Sequence, residues 1–298
     1  VEAGAKVVAS GARYERMRFS YQEYFERMAH DPRSWGKPLG ALLGTLKMQL
    51  ELGLPSIGGK DSMSGTFRSI DVPPTLVAFG ITTVDARRVI SPEWKQAGSY
   101  LYLIEHCPTE SLMPDTEQLK RNFGFVSDAI GCGTIRSAWA VGFGGIAEAL
   151  AKMSFGNGIG AEVEIDEERL FGYAYGSIVV ESATPLEYAD ALPLGRTVAS
   201  ETLNVNGTEV SIEELCRINS ERFATVYPAT CPSQSPLTSA AHEHRTCEWP
   251  GEAVEHPVAY LPVFPGTNCD YDTARAFRRA GAEVRSSVLC NLKGDDIL

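Results

Sequence analysis

The chain has 298 residues, of which 44% are hydrophobic and 22% charged, with a formal net charge of −11. These totals fit an ordinary globular protein of about two domains. They exclude a non-specific nucleic-acid binder, which needs a basic footprint.

A phosphorylated small molecule remains compatible, because a local site need not share the sign of the whole surface. The seven cysteines, Cys107, Cys132, Cys216, Cys231, Cys247, Cys269 and Cys290, are scattered, odd in number and without a C-x-x-C pair. That usage argues against a disulfide framework and for a reducing, cytoplasmic setting. No apolar run reaches membrane-spanning length, and the first residues carry no signal-peptide pattern, so no membrane partner is expected.

The chain opens on Val1 in an Ala/Gly-rich segment and stops at Leu298 directly after an expected strand and turn, as a piece of a longer polypeptide would. Leu39, Leu42, Leu43, Leu46 and Leu50 recur at helical spacing, with Gly53 as a stop before Pro55. The run Gly58-Gly59-Lys60-Asp61-Ser62-Met63-Ser64-Gly65 follows. Its glycines let a backbone approach an anion closely, and its amides and hydroxyls can line up on phosphate oxygens. Lys60 suits phosphate as a point charge, while Asp61, an acceptor only, suits Mg²⁺ or a substrate hydroxyl. The segment therefore reads as a nucleotide–metal loop, although the Walker A spacing is absent. A tight turn that happens to carry charge is the alternative.

An apolar run from Thr75 to Val84 reads as a buried strand, and Pro92 and Gly98 mark a break. A second α/β pattern then begins. Strands are expected at Tyr100 to Ile104, Ile135 to Val141 and Ser177 to Val180, and a helical stripe at Leu119, Phe123, Val126 and Ile130. Gly142-Phe143-Gly144-Gly145 opens a helix from Ile146 to Met153, and Asn206-Gly207 predicts a hairpin between Leu203–Val205 and Glu209–Ile212. Ser211 and Glu214 form a weak capping box for the next helix. Residues from about 227 to 257 turn polar and aperiodic, as a linker does. Beyond them Val258 to Phe264, Asp270 to Ala280 and Glu283 to Leu289 read as a βαβ unit at the start of a doubly wound domain.

Three segments carry a resemblance: Arg18 to Phe25, Leu54 to Phe67 and Pro265 to Asp272. In this order and separation the chain resembles formylglycinamide ribonucleotide amidotransferase (phosphoribosylformylglycinamidine synthase) in its large single-chain form, over nearly its whole length. The resemblance implies an α/β (α+β) fold with aminoimidazole-ribonucleotide-synthetase-like N- and C-terminal pieces, plus a truncated class I glutaminase start. It divides the chain into 1–95, 96–226, a linker at 227–257, and 258–298. It implies ATP and Mg²⁺ as cofactors, formylglycinamide ribonucleotide and glutamine as substrates of the parent enzyme, and the rest of the same polypeptide as partner. Gly59, Lys60, Asp61, Ser62 and Ser64 would then line the nucleotide side of a synthetase cleft, with Asp61 on the metal. No catalytic residue is assigned to this piece, and the isolated piece is expected to be inactive. Cys269 is not expected to be the glutaminase nucleophile, which in this family lies further along the chain.

Two departures stand against the pattern. The family's Ser-Asp-Gly-Gly is Gly142-Phe143-Gly144-Gly145 here, and phenylalanine cannot ligate a cation. The family's Glu-Ser-x-x-Arg is Gly172-Tyr173-Ala174-Tyr175-Gly176. The nucleotide site around the C-terminal piece is therefore expected to be altered or lost, its glycines kept for helix–strand packing. The alternatives are a structural half that scaffolds the catalytic half, and an enzyme more like aminoimidazole ribonucleotide synthetase.

Other residues invite less. Cys231, His242, His244 and Cys247 have zinc-type donors without paired spacing. His30 and His106 read as surface or capping residues, Glu167-Glu168 as a solvated face, and Asn122 and Asn157 as caps or ligand contacts near helix ends.

Overall fold

The computed structural model describes residues 1–228, 251–252, 254–264 and 266–290. Two compact units are present, Val1–Cys231 and Pro232–Leu298.

The first unit begins with α1 (Glu2–Ala9), β1 (Arg18–Tyr24), α2 (Pro32–Leu52) and β2 (Ser56–Ser62). The small β3 (Thr66–Phe67) and β4 (Ile70–Asp71) then pair with each other, and β5 (Thr75–Ile81) follows. Strand order β2-β1-β5 makes a three-stranded sheet, with β1 parallel to β2 and antiparallel to β5. Met17, Phe19, Leu52 and Leu54 form its small core, with Ala3 and Val7 of α1 and Met48 of α2 packed against them.

α2 starts where Asp31 accepts a hydrogen bond from the Arg33 amide, and it ends at Gly53 in the left-handed region. Its leucine stripe corrects an expectation. Leu39, Leu42, Leu43, Leu46 and Leu50 are 51–73% exposed, because α2 docks through Ser34, Pro38, Met48 and Leu52 instead. The expected buried strand is likewise an edge strand, with Leu76, Val77, Phe79 and Ile81 at 36–48% exposure. Periodicity reports that a face is apolar; whether another element covers it is a tertiary matter.

The chain then crosses to a seven-stranded sheet. Its elements are β6 (Tyr100–Ile104), α3 (Thr116–Gly131), β7 (Ile135–Ala140), α4 (Gly145–Phe155), β8 (Gly160–Val163), α5 (Glu167–Leu170), β9 (Ile178–Ser182), β10 (Ala191–Val198), β11 (Thr202–Val205), β12 (Thr208–Ser211) and α6 (Ile212–Glu221). The order is β12-β11-β8-β10-β6-β9-β7. Central β6 is apolar on both faces, so helices cover both. Tyr102 and Ile104 meet residues of α1 and α3, while Leu101 and Leu103 meet Ile146, Leu150 and Met153 of α4. α1 packs on β5 and on β7, so both sheets belong to one compact unit, and the chain passes between them where Pro92 and Gly98 suggested a break.

Asn206 and Gly207 both take positive φ, as a two-residue hairpin turn requires, and Ser211 accepts from the Glu214 amide. In the second unit, β13 (Val258–Val263) and β14 (Glu283–Val288) pair in parallel with α7 (Asp270–Arg279) between them. This is the βαβ pattern expected for that stretch. The zinc-type donors Cys231, His242, His244 and Cys247 and most of the expected linker lie outside the described residues.

Candidate functional site

The segment expected to be a phosphate loop is largely a strand. Of residues 58–65, Gly58 to Ser62 lie in β2, and only Met63 to Gly65 follow it. The glycines have a pairing role: a Cβ at Gly59 would sit 2.5 Å from the Tyr21 carbonyl oxygen, so a side chain there would push β1 and β2 apart.

Register decides what the polar residues share. Tyr21 pairs with Gly59, Gln22 with Lys60, Glu23 with Asp61 and Tyr24 with Ser62. Paired residues of adjacent strands share a face, and successive residues alternate. Asp61 therefore stands beside Glu23 on the face that carries Phe19 and Tyr21. Lys60 and Ser62 stand on the other, with Lys60 Nζ 5.4 Å from the centre of the Tyr24 ring. Lys60 and Asp61 are exposed, and Ser64 is exposed beyond the strand.

Glu23 is only 6% exposed, and no hydrogen bond or ion pair to its side chain is present among the described residues. Burial, and then the charge of Asp61, raise its carboxyl above the usual range. Burial pushes the neighbouring Tyr21 hydroxyl up to about 12. Glu23 lies within Arg18 to Phe25, one of the segments that carry the resemblance, and is not among the residues the resemblance places at the site. Its signal was alternation: Phe19-x-Tyr21-x-Glu23-x-Phe25 places an acid in an otherwise aromatic inward row. The structure thus brings Asp61 and Glu23 together and separates Asp61 from Lys60. Among the described residues no group of three or more His, Cys, Asp or Glu side chains is placed to hold a metal.

The Gly-rich turn before α4 packs closely, though against the end of α5 and the residues after it rather than against a strand as expected. Gly145 has φ +68°, and a Cβ there would lie 2.8 Å from the Leu170 carbonyl oxygen. The two departures noted above are neighbours in space. The Phe143 ring lies 5.9 Å from Tyr173, whose ring stacks on Tyr175 at 6.0 Å and 9°. Phe143 and Tyr173 are both more than 70% exposed. Aromatic rings thus occupy a place where the family pattern has charged residues.

The remaining candidates are structural. His106 is buried rather than on the surface: its Nε2 accepts from the Asp115 amide, so the proton sits on Nδ1, which donates to the Tyr175 carbonyl. Asn122 lies mid-helix, fully buried, donating to the Glu105 carbonyl and accepting from the Tyr188 hydroxyl. Asn157 donates to the Trp94 carbonyl. Cys269 is exposed at the start of α7. A depression of about 630 Å³, lined by Glu162, Glu164, Arg196 and Asn204, lies on the seven-stranded sheet and includes neither Asp61 nor Lys60.

No protein-family model matches the chain. Over 161 residues it is 30% identical to the PurL subunit of phosphoribosylformylglycinamidine synthase from Thermoplasma acidophilum, a match covering 46% of this chain and 21% of that protein. Over 250 residues it is 24% identical to the PurL subunit from Lactobacillus delbrueckii subsp. bulgaricus, covering 73% of this chain and 33% of that protein. Among solved structures, PurLQS from Thermotoga maritima superposes with TM-score 0.56 at 16% identity, covering 71% of this chain and 39% of that one. Over these stretches the chain is similar to PurL subunits.

The hydrogenase maturation protein HypE has TM-score 0.52 at 14% identity, covering 71% of this chain and 79% of that one. PurL and HypE bear out the aminoimidazole-ribonucleotide-synthetase-like α/β fold. T. maritima PurL has also been solved with ATP and with FGAR, at TM-scores of 0.54 and 0.52 and identities of 14% and 15%. The chain spans about a fifth to a third of the length of the PurL subunits it matches.

Proposed function

We propose that this chain is part of an ATP-dependent ligase that converts formylglycinamide ribonucleotide to formylglycinamidine ribonucleotide in purine biosynthesis. The observation that carries the reading is convergence: curated relatives found by sequence and solved structures found by fold both bear the name PurL. Ammonia would come from glutamine through a glutaminase domain that starts near residue 258, as in the large single-chain form. The order of β13, α7 and β14 supports that division. The divisions at 95 and 226 and a cytoplasmic location belong to the same proposal.

In this reading Gly59, Lys60, Asp61, Ser62 and Ser64 line a nucleotide cleft completed by the rest of the polypeptide, and the piece by itself is inactive. Asp61, exposed and acceptor-only, fits Mg²⁺, which bound between carboxylate and phosphates would neutralise developing phosphoryl charge. Lys60, on the opposite face, would reach phosphate only past the strand's edge or end. Calorimetric titration of Mg·ADP into the chain, with Asp61→Ala as control, tests this. Binding that Asp61→Ala weakens supports the reading; equal binding by both removes Asp61 from the site.

A second reading is a scaffolding half without a nucleotide of its own. The Phe143–Tyr173 pair favours it, because aromatic rings there offer no ligand to a cation. Absence of Mg·ADP binding both to the folded chain and to the chain with its missing half added would favour this alternative.

A further inference from the structure

Asn204, Glu162, Arg196 and Tyr100 form one row across the seven-stranded sheet. Pairing sets Asn204 of β11 beside Glu162 of β8, Glu162 beside Arg196 of β10, and Arg196 beside Tyr100 of β6. Paired residues share a face, and Ala161, Val163 and Leu203 fill the opposite one. Arg196 reaches the row through a bulge. Pro193 pairs with Tyr102, Gly195 with Leu101 and Arg196 with Tyr100, so the extra residue Leu194 shifts the alternation. Without it, alternation from Pro193 would turn Arg196 to the apolar face. The bulge is closely built: Gly195 has φ +151°, and a Cβ there would collide with the Glu162 carbonyl oxygen. Arg196 does not close on the acid opposite. Its guanidinium lies 4.0 Å from the centre of the Tyr100 ring, and among the described residues it makes no ion pair with Glu162. Stacking fixes the plane of the fork and leaves its N–H edge for a ligand. The depression of about 630 Å³ lies at this row, walled by Pro193 and Leu194, with Glu162, Glu164 and Arg196 as its charges. Asn204 Oδ1 accepts from the Gly207 amide, which leaves its side-chain NH₂ as a donor.

We propose that this depression binds a diamino monocarboxylic acid, with lysine as the type. Its carboxylate takes the N–H edge of Arg196 and the Asn204 amide, and its two ammonium groups meet Glu162 and Glu164. The charges select the class. The site offers two carboxylates and one guanidinium, and a ligand with two cations and one carboxylate answers all three. A simple anion would face two acids, and a simple diamine would face Arg196 with nothing to give it. A planar fork recognises a carboxylate through two parallel hydrogen bonds, which a bare point charge does not. The site includes neither Lys60 nor Asp61, so it stands apart from the nucleotide reading above.

L-lysine is the probe, titrated into the isotope-labelled chain and followed by nuclear magnetic resonance at the amides of Glu162, Gly195 and Asn204. The charged groups are exposed, so a Kd of about 1 mM is expected. Norleucine lacks the side-chain ammonium and cadaverine lacks the carboxylate; each should bind about fivefold more weakly. Glu162→Gln and Arg196→Gln should each weaken L-lysine about fivefold, and Glu117→Gln, on α3, should not. Arg196→Lys keeps the charge and loses the fork, so it should weaken L-lysine and leave cadaverine unmoved. The analogues act on the wild type, so they decide the matter even where a variant folds poorly. Cadaverine or norleucine binding as tightly as L-lysine overturns the proposal. So do wild-type affinity in a folded Arg196→Gln and the absence of shifts at these amides with L-lysine at about ten times the expected Kd. Mg·ADP affinity should be the same in Glu162→Gln and wild type, which keeps the fate of this site separate from that of the nucleotide reading.

Discussion

Lys60 and Asp61 are covalent neighbours that face opposite sides of the three-stranded sheet: Lys60 pairs with Gln22, and Asp61 with Glu23. A ligand on one face therefore meets one of them directly. In a double-mutant cycle of Lys60→Ala and Asp61→Ala read by Mg·ADP affinity, the two effects should add to within about 0.5 kcal/mol. Coupling above about 1 kcal/mol would place both side chains on the same group and contradict the register.

Glu181 ties β9 to the segment before β6 through two backbone amides, and to β7 through the Ser137 hydroxyl. Glu181→Ala removes a fully buried acceptor from three donors, of which the Ser137 hydroxyl is buried and the two amides part-buried, and its expected cost is about 3 kcal/mol. Urea denaturation at neutral pH checks this, and a loss under about 1 kcal/mol would show that water replaces the carboxylate.

The Lys95 ammonium, and then the Ser91 hydroxyl, hold the Glu93 carboxyl down at about 2. Because the folded value lies below the unfolded one of about 4.3, this contribution is present above about pH 4.3 and vanishes as pH falls through about 2. The pair is a little over a quarter exposed, so solvent screening leaves about 1 kcal/mol. Glu93→Gln should lose that amount at pH 7, and the difference from wild type should close between about pH 4.3 and 2. Denaturant titrations at several pH values read both.

Gly145→Ala forces a Cβ onto a positive-φ residue, 2.8 Å from the Leu170 carbonyl oxygen. The expected loss is about 1–3 kcal/mol, with the start of α4 displaced. A substitution that leaves the melting temperature unchanged would mean that this turn relaxes freely.

Along α2, Leu52 is 5% exposed and Leu43 57%. Leu52→Ala should cost about 2–5 kcal/mol, whereas Leu43→Ala should fall within about 0.5 kcal/mol of wild type. Equal losses would show that the leucine stripe is covered after all.

The elements of this protein were legible wherever their cause is local. The Asn206-Gly207 turn follows from backbone sterics at positive φ, the end of α2 from Gly53, and the strand at Tyr100–Ile104 from a continuous apolar run. The resemblance to formylglycinamide ribonucleotide amidotransferase rests on ordered segments that sequence alone displays. The candidate site was legible as a set of residue types and misread as a shape. Glycines at 58 and 59 signal backbone permissiveness, which a phosphate loop and a close-paired strand both use. Only the pairing of β1 with β2 distinguishes them.

By itself the sequence determined which residues are apolar, where the chain turns, and which chemical groups are available, because bond geometry and side-chain chemistry act over a few residues. The tertiary structure decided the rest. It left the α2 leucines uncovered, put Phe143 against Tyr173, and set Glu23 beside Asp61 while turning Lys60 away. These outcomes depend on strand register and on which faces meet, contacts between segments distant in the chain that no local pattern encodes.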